Sequence, residues 1–391
     1  MVFGEVRIME TVRFGIIGLG LMGREFASAA ARWCHLTDMD IKPEITAICS
    51  KNLVPQNVNW FTGNFPAIKQ VTNDYRKLIT NPDVDIVYCA VPHHLHEEIY
   101  CAILDTGKHL MGEKPFGIDK KANDTIVSKI KSHNELFVRC SSQFIFFPGV
   151  QRICAMIEQE VFGKIIEVES GFLHSSDLDP AKPINWKRII EYNGEYGCMG
   201  DLGMHVCYVP FRAGWKPQNV RALLSNIIRE RPDGKRNVIP CDTWDNATLL
   251  CETEDSKNGE IFPWTIKTHR IAPGEKNTWY LSISGTKASV KFSLKYPRTL
   301  QLFEYKGGEQ TWQNIDLGYE TAFKTITGGI FEFGFGDAFL QMWAAFLFEF
   351  KNGKPLKKFA GCVTPEETAL SHNLFTAALK SHTNKTVITI E

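Results

Sequence analysis

An aspartate and a histidine four positions apart are the first residues of this chain whose types and spacing suit chemistry. Asp201 and His205 follow the glycine-punctuated run Gly194–Gly200. Residues four apart share one face of an α-helix, with about 5–6 Å between their Cβ atoms. If a helix begins near Asp201, the pair can present two hydrogen-bonding groups to adjacent hydroxyls of one substrate. The same spacing also occurs in a helix cap followed by a buried core histidine.

Lys114 is a third candidate. It lies in Glu113-Lys114-Pro115, directly after the short apolar run His109–Met111, which we predict to be the fourth strand of a sheet. Ligands of open α/β sheets collect beyond the carboxyl ends of the strands, so Lys114 is expected to face a ligand crevice. A lysine before a proline is otherwise usually a solvated surface residue. The placement at a crevice therefore requires a parallel sheet in the first part of the chain.

Strands and helices alternate through the first 140 residues. Helical patterns separate five apolar, strand-like runs, and such alternation predicts a parallel sheet with crossover helices. The runs are Val12–Ile17, Ile45–Cys49, Ile86–Val91, His109–Met111 and Leu136–Cys140. We therefore predict a doubly wound α/β Rossmann domain over residues 1–140.

A G-x-G-x-x-G turn, formed by Gly18, Gly20 and Gly23, joins the first predicted strand to the first helix. The first glycine permits the tight turn, the second lets the backbone approach a pyrophosphate, and the third allows close helix–strand packing. The N-terminus of the helix offers N–H groups to the phosphates. The turn therefore predicts a dinucleotide site. The expected cofactor contacts are Gly18, Gly20, Leu21, Met22, Gly23, Ser50, Lys51, Pro92, His93, His96, Glu113 and Lys114.

The end of the second strand bears on the choice of cofactor. An NAD site usually places Asp or Glu there to accept a hydrogen bond from the ribose 2′-hydroxyl. Here the strand ends at Ser50 and Lys51, and a hydroxyl with an ammonium suits a 2′-phosphate better. NADP is therefore favoured. NAD stays possible, because a loop lysine is often simply solvated.

Beyond Pro148 the pattern changes. Strand-like runs follow one another without intervening helices, which suggests an antiparallel or mixed sheet. The runs are Ile165–Leu173, Val220–Arg229, Ala247–Glu252, Ile261–His269, Trp279–Gly285, Ala288–Ser293 and Leu300–Tyr305. Two helices are predicted near the end, at Asp337–Lys351 and Pro365–Ser381. Residues 141–391 are therefore predicted to form an α+β domain.

The composition argues against two classes of partner. Lys plus Arg and Asp plus Glu are both 44, so the formal net charge is zero. A protein that binds nucleic acid or an anionic membrane usually has a basic excess. No apolar run approaches the roughly 20 residues that span a bilayer. We therefore expect neither a nucleic acid nor a membrane as partner.

The cysteines and the N-terminus favour a cytoplasmic location. The 11 cysteines are scattered without a CxxC pair, which is typical of free thiols in a reducing compartment. Met1–Thr11 lacks the regions of a secretory signal. No metal site is expected, because strand alternation and a proline keep the nearest cluster from converging on one ion. That cluster is Cys89, His93, His94 and His96.

In this order, the motifs resemble those of the glucose–fructose oxidoreductase/inositol dehydrogenase family (Gfo/Idh/MocA). Its members combine an N-terminal dinucleotide fold, a Glu-Lys-Pro segment, and a glycine-rich stretch leading to Asp-x-Gly-x-His. The second domain of the family has a large open, mostly antiparallel sheet. The resemblance runs nearly end to end. It is carried by Gly18–Gly23, Asp83–Asp85, Pro92 with His96, Glu113–Pro115, Asp201–His205 and Pro365–Glu367.

The resemblance implies an NAD(P)-dependent oxidoreductase that transfers hydride between a nicotinamide and a secondary alcohol or ketone of a sugar, cyclitol or related polyol. It implies that His205 is the acid/base, that Lys114 bridges the substrate oxygen and the nicotinamide ribose, and that Asp201 holds a second hydroxyl. Histidine suits its role because it titrates near neutrality. The resemblance also implies a homodimer or homotetramer that assembles through the exposed face of the second sheet.

Further substrate contacts are expected just before the Asp–His motif, where Trp186 and Lys187 are favoured over His174 and Tyr192. Ordinary packing is the alternative for each of them. The expected substrate contacts are Lys114, Trp186, Lys187, Asp201 and His205. The run Thr325–Phe335, with three glycines and three phenylalanines, serves either a subunit interface or the substrate mouth.

Two positions depart from the family pattern. Ile145 stands where an arginine is frequent, and Tyr208 and Val209 stand where an acidic residue often follows the histidine. Two other functions stay open. A hydrolase or lyase with tightly held NAD oxidises and re-reduces a sugar during bond cleavage, without net cofactor change. A sensing module binds NAD(P) without catalysis, and the intact Lys, Asp and His set disfavours it.

Overall fold

Six parallel strands form the first sheet of the computed structural model, which describes residues 9–318 and 320–391. The strands are β1 Glu10–Ile17, β2 Ile41–Cys49, β3 Gln70–Thr72, β4 Ile86–Cys89, β5 His109–Gly112 and β6 Val138–Cys140. The helices between them are α1 Leu21–Ala31, α2 Pro55–Asn64, α3 Tyr75–Ile79, α4 His96–Asp105 and α5 Lys120–Ser132. The prediction that Met1–Thr11 is not a secretory signal falls mostly outside the described residues.

The strand order places a ligand crevice at the centre of this sheet. The order is β3-β2-β1-β4-β5-β6, so the chain crosses from the β3 edge to the far side of β1 before it forms β4. Doubly wound sheets bind ligands at such a switch in strand order, beyond the carboxyl ends of the strands. The predicted Rossmann architecture is confirmed.

Two short elements of this domain were not predicted. The strand β3 has three residues, too few to show a periodic pattern, and α2 begins at Pro55, where the missing N–H costs little. Because β3 is present, the run His109–Met111 belongs to the fifth strand and not to the fourth. Lys114 therefore follows β5, still beyond a strand end.

A second, larger sheet fills the rest of the chain. Its strands are β7 Ile165–Leu173, β8 Trp215–Pro217, β9 Asn219–Ser225, β12 Asn246–Asp255, β13 Ile261–His269, β14 Thr278–Gly285, β15 Ala288–Ser293, β16 Thr299–Glu304, β17 Gln313–Asp316 and β18 Ile388–Thr389. Two further strands, β10 Glu230–Pro232 and β11 Val238–Pro240, pair only with each other.

The ten strands run in the order β17-β16-β15-β14-β7-β13-β12-β9-β18, and β8 pairs with β12. Only β7 and β13 are parallel; the other pairs in this sheet are antiparallel. The predicted open, mostly antiparallel sheet is therefore confirmed. The parallel pair matters for the site, because it brings the carboxyl ends of β7 and β13 side by side.

The helices of the second half are α6 Pro148–Glu158, α7 Ile190–Asn193, α8 Met204–Ala213, α9 Phe335–Asn352 and α10 Pro365–Asn384, with a π-helical turn at Met199–Gly203. Helix α9 returns to the first sheet. The Trp343 ring lies with its centroid 3.9 Å from that of Phe26 and 4.9 Å from that of Tyr88. The domain boundary at residue 140 stays a prediction. Strand β6 ends at that residue, but α9, which comes much later in the chain, packs on the first sheet.

Helix α10 ties the Glu-Lys-Pro segment to the second half. His372 Nε2 lies 2.7 Å from the carbonyl oxygen of Pro115, and Asn123 Nδ2 donates to Thr368 Oγ1 at 3.0 Å. A capping box between Thr364 and Glu367 starts this helix. The loop that carries Lys114 is thereby held by residues about 250 positions away.

All 11 cysteines are free thiols, and most are buried. Within residues 9–318 and 320–391, none of the helices has the length and apolar character that crossing a membrane requires. The same part of the chain contains no group of three or more metal-ligating side chains.

Candidate active site

A cavity of about 1330 Å³ opens between the carboxyl ends of the first sheet and the residues around β7 and α8. All of the predicted site residues except Gly23 and His96 line it. The lining residues among them are Gly18, Gly20, Leu21, Met22, Ser50, Lys51, Pro92, His93, Glu113, Lys114, Trp186, Lys187, Asp201 and His205. The glycine turn and the Lys–Asp–His trio both line this cavity.

The glycine turn packs as a dinucleotide turn requires. Gly18 has a φ of +106°, and a Cβ there would lie 2.2 Å from the oxygen of Ala90. A Cβ on Gly23 would lie 2.1 Å from the oxygen of Gly18, so Gly23 acts by packing and does not line the cavity. Gly20 has open space, and no side chain caps α1. The N–H groups at the start of α1 are thus left for a ligand.

His96 lies behind the cavity. Its Nε2 is 3.1 Å from the oxygen of Val91, Gly117 N–H donates to its Nδ1 at 3.3 Å, and its ring stacks on Tyr100. Burial lowers the pKa of His96 to about 3, so the ring is neutral. Each of its two nitrogens has a polar partner. His96 therefore connects two loops and is not among the residues that line the cavity.

The neighbouring His93 lines the cavity. Its Nδ1 lies 3.0 Å from the oxygen of Asn193, and its ring meets the edge of Trp186 with centroids 4.8 Å apart. Trp186 and Lys187 sit in a short turn that the Asn185 side chain caps by accepting from Lys187 N–H at 3.0 Å. The two halves of the molecule therefore meet directly at the cavity wall.

The loop after β5 presents Lys114 to the cavity. Glu113 anchors this loop, because Tyr88 OH donates to its Oε1 at 2.7 Å and Tyr100 OH donates to its carbonyl oxygen at 2.9 Å. Lys114 Nζ donates to both the carbonyl oxygen and Oδ1 of Asp201, each at 2.6 Å. Burial lowers the pKa of Lys114 to about 8; Arg270 adds to this effect and Glu113 opposes it.

Asp201 lies in the π-helical turn Met199–Gly203, and α8 begins only at Met204. The expected α-helix starting near Asp201 is therefore corrected: a wider turn carries the aspartate, and the α-helix carries His205. Single π turns are frequent at functional sites. Both side chains nevertheless line the same cavity.

Three cations bind the carboxylate of Asp201. Besides Lys114, Lys187 Nζ lies 3.2 Å from it, and the guanidinium of Arg270 forms an ion pair with its Oδ2. The Asp201 side chain is 2% exposed. Buried carboxylates need such partners, since an unpaired one costs several kcal/mol.

His205 is a neutral imidazole at the floor of the site. Ser142 Oγ lies 2.8 Å from its Nδ1, and the rings of Phe144 and Phe172 meet it edge-on with centroids 5.0 and 5.6 Å away. Burial is the main cause that lowers its pKa well below 6.5, and Lys114 adds to the lowering, with His174 and Lys187. With Nδ1 engaged by Ser142, Nε2 is the nitrogen left for the cavity.

Sequence reasoning missed Arg270 and Ser142. Arg270 directly follows β13 and lines the cavity, but only the parallel pairing of β13 with β7 brings it beside Asp201. Ser142 comes two residues after β6. Its position beyond the end of a parallel strand could have identified it as a residue near the ligand crevice. In Thr325–Phe335, Phe335 lines the cavity while Ile330 and Phe331 are exposed. The choice between interface and substrate mouth stays open.

Sequence models of two domains match the chain. The model GFO_IDH_MocA, described as an oxidoreductase family with an NAD-binding Rossmann fold, matches residues 12–139. The GFO/IDH/MocA C-terminal domain matches residues 150–291. The chain belongs to the Gfo/Idh/MocA oxidoreductase family. The resemblance predicted from the motifs is therefore confirmed.

Individual members of the Gfo/Idh/MocA family are similar to this chain at moderate identity. Levoglucosan dehydrogenase of Pseudarthrobacter phenanthrenivorans is 26% identical over 308 residues, which are 75% of this chain and 76% of that protein. Glycosyl hydrolase family 109 protein 1 of Bacteroides thetaiotaomicron is 26% identical over 270 residues, 64% of this chain and 54% of that protein. A structure of levoglucosan dehydrogenase in complex with NADH and L-sorbose has the same fold, with a TM-score of 0.85 and 23% identity over 98% of this chain and 100% of that one.

Two alanine substitutions separate the structural and ligand-binding roles of the glycine turn. Gly18→Ala forces a side chain onto positive φ and against Ala90, so we expect a loss of about 1–3 kcal/mol of folding free energy. Gly20→Ala has space for its methyl group, so stability is kept, but the methyl enters the space that a pyrophosphate approaches. Thermal denaturation and calorimetric titration with NADH and NADPH measure the two effects.

The control for this pair is Gly63→Ala, which adds a methyl group in open space on α2. It is expected to change neither the stability by much nor the dinucleotide affinity. Binding by Gly20→Ala as tight as that of the native protein contradicts the assignment of the turn to the pyrophosphate.

Proposed function

We propose that this protein is an NAD(P)-dependent oxidoreductase that transfers hydride between a nicotinamide and a secondary alcohol or ketone of a sugar, cyclitol or related polyol. One observation carries the proposal: Lys114, Asp201 and His205 line the same cavity as the glycine turn. The similarity to levoglucosan dehydrogenase supports chemistry on a CH–OH group.

The residues at the glycine end fit a nicotinamide dinucleotide. The uncapped start of α1 at Leu21 and the open space at Gly20 suit a pyrophosphate. Pro92 and His93 continue the wall toward Lys114. When bound, the cofactor supplies the hydride acceptor or donor. Gly23 and His96 contribute by packing and by holding loops.

In this proposal His205 moves the proton of the reacting hydroxyl. A neutral imidazole can accept a proton at Nε2 when Nδ1 carries the hydrogen and donates it to Ser142 Oγ, 2.8 Å away. The depressed pKa keeps the ring in that neutral form at neutral pH. A positioned acid/base of this kind contributes roughly 10²–10⁴-fold to a rate.

Lys114 supplies the positive charge. Its ammonium group stabilises an alkoxide that develops as the hydroxyl loses its proton, and its contact with Asp201 fixes its direction. The role assigned to Asp201 shifts with the geometry. Because both carboxylate oxygens are already engaged by cations, Asp201 orients Lys114 and Lys187 more than it accepts from a substrate hydroxyl. Trp186 and Lys187 complete the substrate wall.

For the cofactor we favour NADP over NAD. Ser50 and Lys51 line the cavity where an NAD site usually has an acidic residue. Asp74 also lines this end, but its carboxylate accepts from Arg76 N–H at 3.0 Å and caps α3. Arg76 lies in the same wall but is paired with Glu98 at 3.0 Å, so the hydroxyl of Ser50 and the ammonium of Lys51 are the groups that favour a 2′-phosphate.

The proposal extends to assembly and location. We propose a homodimer or homotetramer formed through the exposed face of the second sheet, on which Leu223 and Leu250 of adjacent strands are exposed. A cytoplasmic location fits the 11 free thiols.

A second candidate function is a glycosidase that oxidises and re-reduces its sugar on tightly held NAD. The similarity to glycosyl hydrolase family 109 protein 1 favours it. The two functions differ in their products. The dehydrogenase changes nicotinamide absorbance in proportion to turnover, whereas the glycosidase releases a split sugar without net change. A screen of polyols and glycosides with both readouts distinguishes them.

His205→Asn tests the acid/base assignment. Asparagine fills a similar volume but does not titrate, so we expect turnover to fall about 10²–10⁴-fold while NAD(P)H affinity stays unchanged. Steady-state absorbance assays and calorimetry measure the two quantities. The control is His133→Asn, a partly buried residue directly after α5 that does not line the cavity, which should leave both unchanged. Normal turnover by His205→Asn contradicts the role of His205.

The protonation of His205 is expected to depend on Lys187. Burial and three neighbouring groups lower the pKa of His205 below 6.5, so its ring should stay neutral as the pH falls to that value. Removing the charge in Lys187→Met makes protonation easier and raises this pKa. NMR titration of the imidazole signals measures the pKa of His205 in the native protein and in Lys187→Met. The signal of His205 is assigned by its loss in His205→Asn. The surface change Lys164→Met is the control, and a native pKa of 6.5 or higher contradicts the expectation.

Lys51→Ala tests the cofactor preference. Loss of one charge-assisted hydrogen bond to a phosphate weakens binding by about 10–100-fold, so the affinity for NADPH should fall by this factor. The affinity for NADH, which lacks the 2′-phosphate, should change little. Calorimetric titration measures both, with the exposed Lys69→Ala as control. Tighter binding of NADH than of NADPH by the native protein contradicts the preference for NADP.

A further inference from the structure

The substrate end of the cavity is rich in hydrogen-bond donors. Lys114 and Lys187 donate to the two oxygens of Asp201, and Arg270 pairs with the same carboxylate. The acceptor oxygens of Asp201 are therefore largely used inside the protein. A substrate that enters here meets N–H groups more than oxygen acceptors.

Arg270 keeps an unused donor in the cavity wall. Its side chain is 5% exposed, and it lines the cavity. Within the described part of the chain, its Nε has no hydrogen-bond partner. Buried donors are rarely left without a partner, because each costs about 1–3 kcal/mol. The nitrogen itself is enclosed in the wall, so Arg270 acts on a ligand at this end through the positive charge of its guanidinium.

Charge is unbalanced at the same end. Three cations and two carboxylates line it, which leaves one positive charge in excess. The five residues are Glu113, Lys114, Lys187, Asp201 and Arg270.

The charges behind this wall do not correct the excess. Asp177 lies 2.9 Å from Lys182 and 3.9 Å from Arg188, and Arg188 forms an ion pair with the buried Asp245. Two carboxylates and two cations balance each other there. Arg270 reaches this group only at 4.0 Å, through Asp177.

The titrating groups around the wall respond to the excess charge. Burial is the main cause that lowers the pKa of Lys187 well below 10.5, and Arg270 and Lys114 add to it. Burial likewise lowers the pKa of His174 to about 4, again with Arg270, Lys187 and Lys114 contributing. In both groups the nearby cations add to the effect of burial, and a bound anion would offset only the part that the cations contribute.

We propose that Lys187 and Arg270 bind a carboxylate of the substrate, so that the polyol is a sugar acid or another polyhydroxylated acid. The proposal rests on the proposed oxidoreductase function. A carboxylate brings only acceptor oxygens and one negative charge, which match the free donors and the single excess charge. A planar guanidinium and an ammonium group are the usual partners of such a group.

The carboxylate takes no part in the redox step. With the acid group held by Lys187 and Arg270, the CH–OH that is oxidised lies on another carbon, toward Lys114 and His205. That carbon loses a hydride to the cofactor and its hydroxyl loses a proton to His205, which leaves a ketone. Lys187 and Arg270 therefore determine which substrates bind and how they are oriented.

The experiment compares neutral sugars with their acid counterparts, such as glucose with glucuronate and gluconate, and galactose with galacturonate. Turnover is followed with both NAD and NADP. We expect the acid of at least one pair to have a kcat/KM about 10–100-fold above that of its neutral partner. This is the increase that one charge-assisted hydrogen bond to the substrate would give. Calorimetry of the acids on the complex with reduced cofactor measures the same preference without turnover.

Variants of Lys187 test whether the preference comes from this wall. Lys187→Met should raise KM for the acid at least about tenfold more than KM for its neutral partner, whereas an effect through the pKa of His205 should change kcat for both substrates alike. Lys187→Arg should restore most of the preference, because it keeps the charge. Lys164→Met on the surface is the control. Lys187→Met removes one of the three cations around the buried Asp201, so thermal denaturation of each variant checks that it is folded at the assay temperature.

Other outcomes overturn the proposal in distinguishable ways. Turnover of neutral sugars equal to or above that of the acids rejects the carboxylate and leaves the oxidoreductase function standing. Preference for a sugar phosphate over the acid assigns the cations to a phosphate instead. If no member of any pair is turned over although the cofactor binds, the oxidoreductase function fails. In that case, weak calorimetric binding of the acids also rejects the carboxylate.

Discussion

The ion pairs of the Asp201 carboxylate hold the two halves of the active site together. Lys114 reaches it from the loop after β5, Lys187 from the turn before α7, and Arg270 from the end of β13. The carboxylate is buried, so removing one partner of such a group is expected to cost about 3–5 kcal/mol. The cavity wall at this end and the direction of Lys114 therefore depend on one charge.

Backbone geometry makes this convergence feasible. The π turn displaces Asp201 from the regular path of α8, so that its carboxylate and His205 both reach the cavity. Gly203 lets α10 approach closely, since a Cβ there would lie 2.5 Å from the Phe375 ring. The same helix holds the loop of Lys114 through His372 and Pro115. The π turn and the packing of α10 together position Asp201 and the loop of Lys114.

Much of the site was predictable from local pattern. The glycine turn between a strand and a helix, the segment after β5, and the Asp–His spacing all identified residues that line the cavity. His96 was predicted with them but lies behind the cavity wall, because sequence shows that a histidine follows a strand but not which way its ring turns. The three-residue β3 and the π turn Met199–Gly203 also lack a periodic signal.

The sequence by itself determined what depends on neighbours a few residues away: the alternation of elements, the turn that needs Gly18, and the family motifs. Only the tertiary structure decided which charges meet. Arg270 became part of the site because β13 pairs in parallel with β7, and α9 covers the first sheet because its apolar surface needs burial there. Such contacts join residues far apart in the chain, and their energy depends on burial and distance, which no local spacing encodes.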